Sequence, residues 1–167
     1  MNLSFIGHLN DPAMLSGVGL GNMTNNLCCL SIVFGFNSAL DTLISQSAGA
    51  GNIELSGVYL NQGRFIMTCI FFPISLLLMN TKNILTAAGQ DPIVAAYAQT
   101  YVLTYLPGLY FQCLDDIQRK FLYNYKKNKF AFICTCFGAV LHGLWCYIFV
   151  IKYKMGIEGI GIANLIS

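Results

Sequence analysis

Charged side chains are scarce in this sequence, where Asp, Glu, Lys and Arg make up 10% of 167 residues. A soluble domain carries roughly 25% charged residues, so this chain lacks the side chains needed to cover a surface that faces water. Hydrophobic residues make up 56% of the chain, and the mean hydropathy is +0.61. A net charge of +2 is too small to indicate nucleic-acid binding. The composition therefore excludes a soluble protein and predicts an integral membrane protein whose main partner is the lipid bilayer.

The sequence also lacks the patterns that mark enzymes and metal proteins. It contains no nucleophile–base pair and no Gly-rich loop that would hold a phosphate. Cys134 and Cys136 precede His142 with a metal-like spacing, but a fourth ligand and a flanking loop are absent. All seven cysteines lie within or beside apolar segments, where Cys packs as a small hydrophobe. We therefore predict no enzymatic activity, no metal and no cofactor.

Long uncharged segments alternate with polar breaks along the chain. A membrane-spanning helix needs about 20 apolar residues, and four segments reach that length. The predicted spans are residues 18–41, 57–79, 93–114 and 130–151, with the end of a further span at 1–8 and the start of another at 159–167. We therefore expect an all-α, polytopic membrane helix bundle. Because both terminal segments are too short to span, we expect the chain to be part of a longer protein.

Single residues predict where these helices begin, bend and end. Asp41 closes the 18–41 span, and a loop of small residues follows it. Pro73 predicts a kink and Pro107 a break, because proline removes a backbone donor. Residues 80–92 predict a short loop, at the end of which Asp91 caps the next helix and a proline takes the first helical position.

Two groups of residues admit both a packing and a binding interpretation. Small and amide side chains at the start of the 18–41 span let helices approach closely and bond across an interface. They are Gly17, Gly19, Gly21, Asn22, Asn25 and Asn26. The second group consists of tyrosines that lie mostly at helical spacing and could share one face, namely Tyr97, Tyr101, Tyr105 and Tyr110. We favour packing for both groups and keep a ligand site as the alternative.

Basic residues predict the orientation, because Lys and Arg concentrate in short cytoplasmic loops. Alternating spans put the loops 46–64 and 115–129 on one side, with six Lys or Arg in total, and leave three on the other side. We therefore predict that the loops 46–64 and 115–129 are cytoplasmic. The plasma membrane and an endomembrane are both compatible with this sequence.

Several short motifs occur together, in one order, along nearly the whole chain. They are Gly7-His8-Leu9, Asp41-Thr42-Leu43-Ile44-Ser45-Gln46, Gly57-Val58-Tyr59-Leu60, Gly89-Gln90-Asp91-Pro92, Pro107, Gln118 with Phe121-Leu122, and Gly156-Ile157 with Gly159 and Ala163-Asn164-Leu165-Ile166-Ser167. In this ordered set the chain resembles the MATE family of multidrug and toxin extrusion antiporters, particularly its eukaryotic members. Two positions depart from the pattern, because many relatives carry Gln-Arg after the motif that ends at Leu60, where this chain has Asn61 and Gln62.

The resemblance implies a twelve-helix transporter built from two six-helix lobes, of which this chain is most of the first. Family members export organic cations and other amphipathic compounds in exchange for H⁺ or Na⁺. The resemblance thus implies small organic cations as substrates, H⁺ or Na⁺ as the coupling ion, and a C-terminal lobe of the same polypeptide as partner. The acidic residues that couple transport in eukaryotic members lie in that second lobe, so none is assigned to a position here.

Polar residues in or beside the spans are candidates for the substrate pathway or for gating, because ionisable and polar groups are costly within a membrane. The candidates are Asp41, Gln46, Asn37, Gln112, His142 and Asn164. Asp41 could take up a proton, but we favour a structural or gating role because it matches the family motif at the cytoplasmic end of a span. We favour a hydrogen-bonded core residue for His142. The amides fit substrate contacts and interhelical hydrogen bonds equally well.

Two alternatives to antiport remain open. A related flippase would move a lipid-linked substrate without an ion gradient. Basic residues facing the lobe interface would favour that function, but here they cluster in loops. A truncated product would pack in the membrane without transporting anything. We expect secondary active antiport by alternating access around a central site.

Overall fold

The computed structural model describes residues 12–152 and 156–166, and within these ranges the chain is helical and contains no strand. Two π-helical segments, Asn26–Leu30 and Tyr147–Lys152, interrupt the α-helical series. The α-helices are α1 (Pro12–Asn25), α2 (Ser31–Gly49), α3 (Ile53–Met79), α4 (Thr81–Ala87), α5 (Pro92–Asn124), α6 (Asn128–Cys146) and α7 (Gly156–Ile166). The span end predicted at 1–8 lies outside the described residues. The predicted all-α class is confirmed for the described part.

The first long helix continues past Asp41, where we predicted its end. It runs through α1, the first π-helical segment and α2 as one stretch, Pro12–Gly49. Ile44 is fully buried in the core and Ser47 is nearly so, and the burial of this face stabilises the helix beyond the carboxylate. The turn that follows contains Gly51 at φ +72°, a conformation that glycine adopts without strain.

The loops predicted at 46–64 and 115–129 are largely helical. Between α2 and α3 only residues 50–52 lie outside a helix, and between α5 and α6 only residues 125–127 do. The apolar pattern marks the part of a helix suited to lipid, whereas backbone hydrogen bonds extend the helix further into polar sequence. The predicted spans therefore underestimate the lengths of the helices.

The stretch predicted as a loop at 80–92 contains the short helix α4. Gln99 of α5 holds its first turn, because its Nε2 donates to the Met79 carbonyl at 2.5 Å and its Oε1 accepts from the Lys82 N–H at 2.7 Å. Long-range contacts of this kind are not visible in local sequence. The predicted cap is confirmed, since Asp91 Oδ1 accepts from the N–H of Ile93 at 2.7 Å.

Both internal prolines lie within continuous helices. Pro73 is inside α3 and Pro107 is inside α5, so the predicted break at Pro107 is wrong. A helix in a membrane protein tolerates proline where neighbouring helices satisfy the freed backbone groups. α5 has such surroundings, because it packs against α1, α2, α3, α4, α6 and α7. The kink at Pro73 stays a prediction.

α5 is the central helix of the described bundle. The stretches Pro12–Gly49, Ile53–Met79 and Asn128–Val150 are each long and apolar enough to cross a membrane. α5 is not among them, because its charged, tyrosine and amide side chains lower its hydropathy. The membrane span at 93–114 therefore stays a prediction. The buried side chains of α5 form the core together with those of α1, α2 and α3. They include Tyr101, Val102, Leu109, Cys113 and Ile117.

Glycines of α1 permit its close contact with α5. A Cβ atom at Gly17 would lie 2.4 Å from the Tyr97 Cβ, and one at Gly21 would lie 2.8 Å from the Tyr101 ring. Both separations are far below van der Waals contact, so a larger residue at either position would displace α5. The close approach expected from the small residues is therefore present at these two positions.

The tyrosines of α5 face different neighbours. Tyr101 is fully buried and donates to Asn22 Oδ1 at 3.0 Å. Tyr110 lies on another side, with its hydroxyl 3.0 Å from that of Thr68 in α3. Since these two rings contact different helices, the tyrosines do not form one stripe. Their contacts support the packing interpretation.

Candidate functional site

Asp41 belongs to a cluster with Lys120 and Asn124, which we call the polar clasp. Asn124 Nδ2 donates to Asp41 Oδ1 at 2.6 Å and to the Lys120 carbonyl at 2.9 Å, and Lys120 Nζ lies 3.4 Å from Asp41 Oδ2. The Asp41 and Lys120 side chains are each 39% exposed, so this ion pair contributes under about 1 kcal/mol. The clasp joins α2 to the C-terminal end of α5.

A chain of hydroxyl groups begins one residue beyond the clasp. Tyr125 donates to Ser56 Oγ at 2.7 Å, and Ser56 Oγ lies 2.6 Å from Ser47 Oγ. Ser56 is fully buried and Ser47 is nearly so. These bonds join the turn at 50–52 to the turn at 125–127, so both turns lie at the same end of the bundle. Which side of the membrane that end faces stays a prediction.

The partners of Asp41 are residues that the sequence did not single out. Lys120 and Asn124 lie 79 and 83 positions away from it, and no local spacing links positions so far apart. The sequence indicated only that basic residues follow the predicted span 93–114. The resemblance marked Asp41, whereas its partners become visible only when α2 and α5 are packed together.

The other α2 candidates lie apart from the clasp. Gln46 is exposed on the surface of α2, whereas Asn37 is 2% exposed and its Oδ1 has no hydrogen-bond partner within the described chain. In α1, the Nδ2 and Oδ1 atoms of Asn25 are also buried and have no hydrogen-bond partner within the described chain. Buried amides normally bond to protein or to water. Asn25 and Asn37 therefore mark interior positions that would stabilise a water molecule or another polar group.

Two adjacent clefts lie along α5. The larger, of about 640 Å³, opens between α5 and α6 and extends to His142. The smaller, of about 260 Å³, is lined by Gln112, which accepts a hydrogen bond from the Tyr105 hydroxyl. Asp115 and Arg119 line both clefts and form an ion pair of 2.5 Å. The clefts thus combine aromatic, amide and mutually neutralised charged groups.

His142 is packed between helices. Its Nε2 lies 3.5 Å from the Cys146 sulfur one turn later, and its ring also bonds to the backbone of Ala163 in α7. These contacts agree with the core role favoured from the sequence, although His142 also borders the larger cleft. Asn164 lies in α7, but its side chain is outside the part of the chain that the structure describes.

One carboxyl beside the clefts has an altered affinity for protons. Burial raises the pKa of Asp116 and Asp115 adds to the rise, while Arg119 and Lys120 partly oppose it. Asp116 follows the predicted 93–114 span. Within the described residues, no three His, Cys, Asp or Glu side chains come together as a metal site would require. The hydrogen bonds and ion pairs of this region hold neighbouring helices together.

The sequence profile of the MatE family matches residues 2–148 of this chain. Multidrug and toxin extrusion protein 1 of Danio rerio is 37% identical to it over 163 residues, and the Homo sapiens protein of the same name is 34% identical over 163 residues. Each alignment covers 98% of this chain and 28% of the relative. The chain therefore spans little more than a quarter of the length of these relatives.

The fold is similar to that of a solved transporter. The crystal structure of the eukaryotic MATE transporter AtDTX14 matches 99% of this chain and 37% of that chain, with a TM-score of 0.92 and 26% sequence identity. The predicted fold class, part of a MATE-type helical lobe, is confirmed by this match. MATE proteins are integral membrane transporters and not enzymes. With a family profile that covers most of its length, the chain belongs to the MatE family.

Proposed function

We propose that this chain forms most of one lobe of a secondary active antiporter, which exports small organic cations in exchange for H⁺ or Na⁺. The observation that most strongly supports this is the similarity to a MATE transporter along 99% of the chain. The curated relatives are named for multidrug and toxin extrusion. Because the chain spans 28% of those relatives, complete substrate binding and ion coupling would also need the second lobe.

The polar clasp acts as a brace in this proposal. Alternating access moves two halves of a transporter against each other largely as rigid bodies, so the helices of one half must remain together. Asp41 joins α2 to α5 through Asn124, and Ser56 joins α3 to α5 through Tyr125. We assign this end of the bundle to the cytoplasm because the segments 46–64 and 115–129 hold six of the nine basic residues.

The clefts beside α5 offer contacts for an organic cation. The rings of Tyr105 and Phe111 border the smaller cleft, and an aromatic face attracts a cation within about 6 Å. Gln112 and Asp115 add oxygen atoms that accept hydrogen bonds. Asn37, Gln46 and Asn164 stay candidates for the substrate pathway or for gating.

A flippase for an anionic lipid headgroup has weaker support. Such a protein would need uncompensated positive charge in its cavity. Arg119 is the basic residue that lines the two described clefts, and Asp115 neutralises it. Lys120 is likewise held by Asp41. The described clefts therefore lack the uncompensated positive charge that an anionic headgroup would need.

Efflux from proteoliposomes tests the proposed transport. The complete gene product containing this chain would be reconstituted into vesicles loaded with a fluorescent quaternary ammonium compound, and an inward H⁺ or Na⁺ gradient would be imposed. We expect the gradient to accelerate efflux and an ionophore that dissipates it to abolish the acceleration. Gradient-independent movement of a fluorescent lipid, with no cation efflux, would contradict antiport and support the flippase.

Variants of Asp41 test the brace. Asp41→Ala removes the acceptor for Asn124 and the partner of Lys120, whereas Asp41→Asn removes the charge but retains an acceptor oxygen. We expect transport to fall more in the Ala variant than in the Asn variant, while the exposed control Glu54→Gln keeps the parent rate. Parent-like transport by Asp41→Ala would rule out the brace.

A further inference from the structure

Two buried cysteines meet in the centre of the described bundle. Cys29 lies in the first π-helical segment and Cys113 lies in α5, and their sulfur atoms are 3.9 Å apart. Both side chains are fully buried, and the two positions are 84 residues apart in the sequence. The sequence predicted each of them as a small packing residue. Because the two thiols are in contact, they can react with each other.

The other cysteines have different surroundings. Cys69, Cys134 and Cys136 are exposed, and the Cys146 sulfur contacts His142 instead of another sulfur. Cys28 is next to Cys29 but is only partly buried. The buried sulfur contact is therefore specific to Cys29 and Cys113.

The sulfur atoms of Cys29 and Cys113 are close to the distance of a disulfide bond. A disulfide has sulfur atoms about 2.05 Å apart, so the observed pair must close by roughly 1.9 Å. Rotation of a Cys side chain about its Cα–Cβ bond moves the sulfur over such a distance. Cys29 also lies in a π-helical segment, a departure from regular α-helix that often occurs at functional positions.

We propose that Cys29 and Cys113 form a thiol–disulfide site that small, uncharged peroxides oxidise. One thiol reacts with hydrogen peroxide, gives a sulfenic acid and releases one water molecule. The second thiol then attacks the sulfenic sulfur, forms the disulfide and releases a second water molecule. Two thiols thus lose two electrons and two protons, which the peroxide accepts. An uncharged oxidant is required because neither thiol is exposed.

The bond would tie the first long helix to the central helix. The closed loop of 84 residues contains α2, α3 and α4, and a bond across so long a loop restricts the unfolded chain strongly. We therefore expect the oxidised protein to unfold at a temperature several degrees higher than the reduced protein. This expectation does not depend on transport, so it can be tested whether or not the proposed function holds.

Peptide mapping tests the site in the purified full-length protein. After treatment with hydrogen peroxide, free thiols are blocked with a maleimide during unfolding and the chain is cleaved at Lys and Arg. The fragment that ends at Arg64 contains Cys29, and the fragment 83–119 contains Cys113. We expect these two fragments to migrate as one species, with the mass of a disulfide, that separates on reduction.

Three variants distinguish this disulfide from random oxidation. Cys29→Ser and Cys113→Ser should each eliminate the joined species and the rise in unfolding temperature, whereas Cys28→Ser should retain both. The proposal is overturned if the joined species requires Cys28. It is also overturned if Cys29 and Cys113 both remain free at a peroxide dose that oxidises the exposed Cys69.

Discussion

The carboxyl group of Asp116 makes the stability of the folded chain depend on pH. Burial raises the pKa of its carboxyl, so the folded chain holds this proton more tightly than the unfolded chain does. At a pH below the ordinary carboxyl range the group is protonated in both states and costs nothing. As the pH rises through that range, the unfolded chain ionises first, and the folded state loses stability until the pH exceeds the raised pKa.

We therefore expect Asp116→Asn to unfold at a higher temperature than the parent at neutral pH. The difference should shrink as the pH falls into the ordinary carboxyl range, because the parent then becomes neutral as well. Glu54→Gln is the control, since Glu54 is an exposed carboxylate on another helix; it should give no such gain. Thermal unfolding across pH measures both. A pH-independent difference for Asp116→Asn would contradict the burial argument.

Gly17 and Gly19 form a pair of neighbouring glycines with opposite surroundings. A methyl group at Gly17 would meet the Tyr97 Cβ at 2.4 Å, whereas nothing lies within 4 Å of one at Gly19. We expect Gly17→Ala to destabilise the protein by about 1–3 kcal/mol through overpacking. Gly19→Ala should be neutral or stabilising by up to about 1 kcal/mol, because alanine favours helix. Equal unfolding temperatures for the two variants would contradict the packing of α1 on α5.

The helices themselves differ in how far local sequence determines them. The start of α5 was predictable, because Asp91 followed by a proline is a local capping signal. The structure contains this cap. The continuation of α5 through Pro107 was not predictable, since it depends on neighbouring helices. The same holds for α4, whose first turn is held by Gln99 from a different helix. Local signals thus located the start of a helix better than its continuation.

The hydroxyl chain gives a prediction for the corner between α2, α3 and α5. Tyr125→Phe removes the donor to buried Ser56, which should cost about 1 kcal/mol. Amide hydrogen exchange in the turn at 50–52 should then become faster, because that turn loses its link to α5. Tyr123→Phe is the matched control, since Tyr123 is 47% exposed on the same helix end. Equal exchange in both variants would mean that the bond does not stabilise the corner.

At the scale of the whole molecule, composition and the ordered motifs were enough for the membrane class and the family, while the candidate site needed the fold. Asp41 was visible as part of a motif, but Lys120 and Asn124 were not. The burial of Asn25 and the contact between Cys29 and Cys113 likewise depend on the packing of distant segments. Hydropathy measures preference for lipid, and it contains no information on which helix faces which.

Reciprocal coupling is the property that most directly defines an antiporter. If cation export drives H⁺ or Na⁺ inward, then a cation gradient alone must move one of these ions in the opposite direction. The measurement uses proteoliposomes of the complete gene product, loaded with an organic cation, with fluorescent indicators of internal pH and Na⁺ and no imposed ion gradient. Our account predicts that cation efflux is accompanied by a rise of internal H⁺ or Na⁺. Efflux that moves neither ion would contradict it.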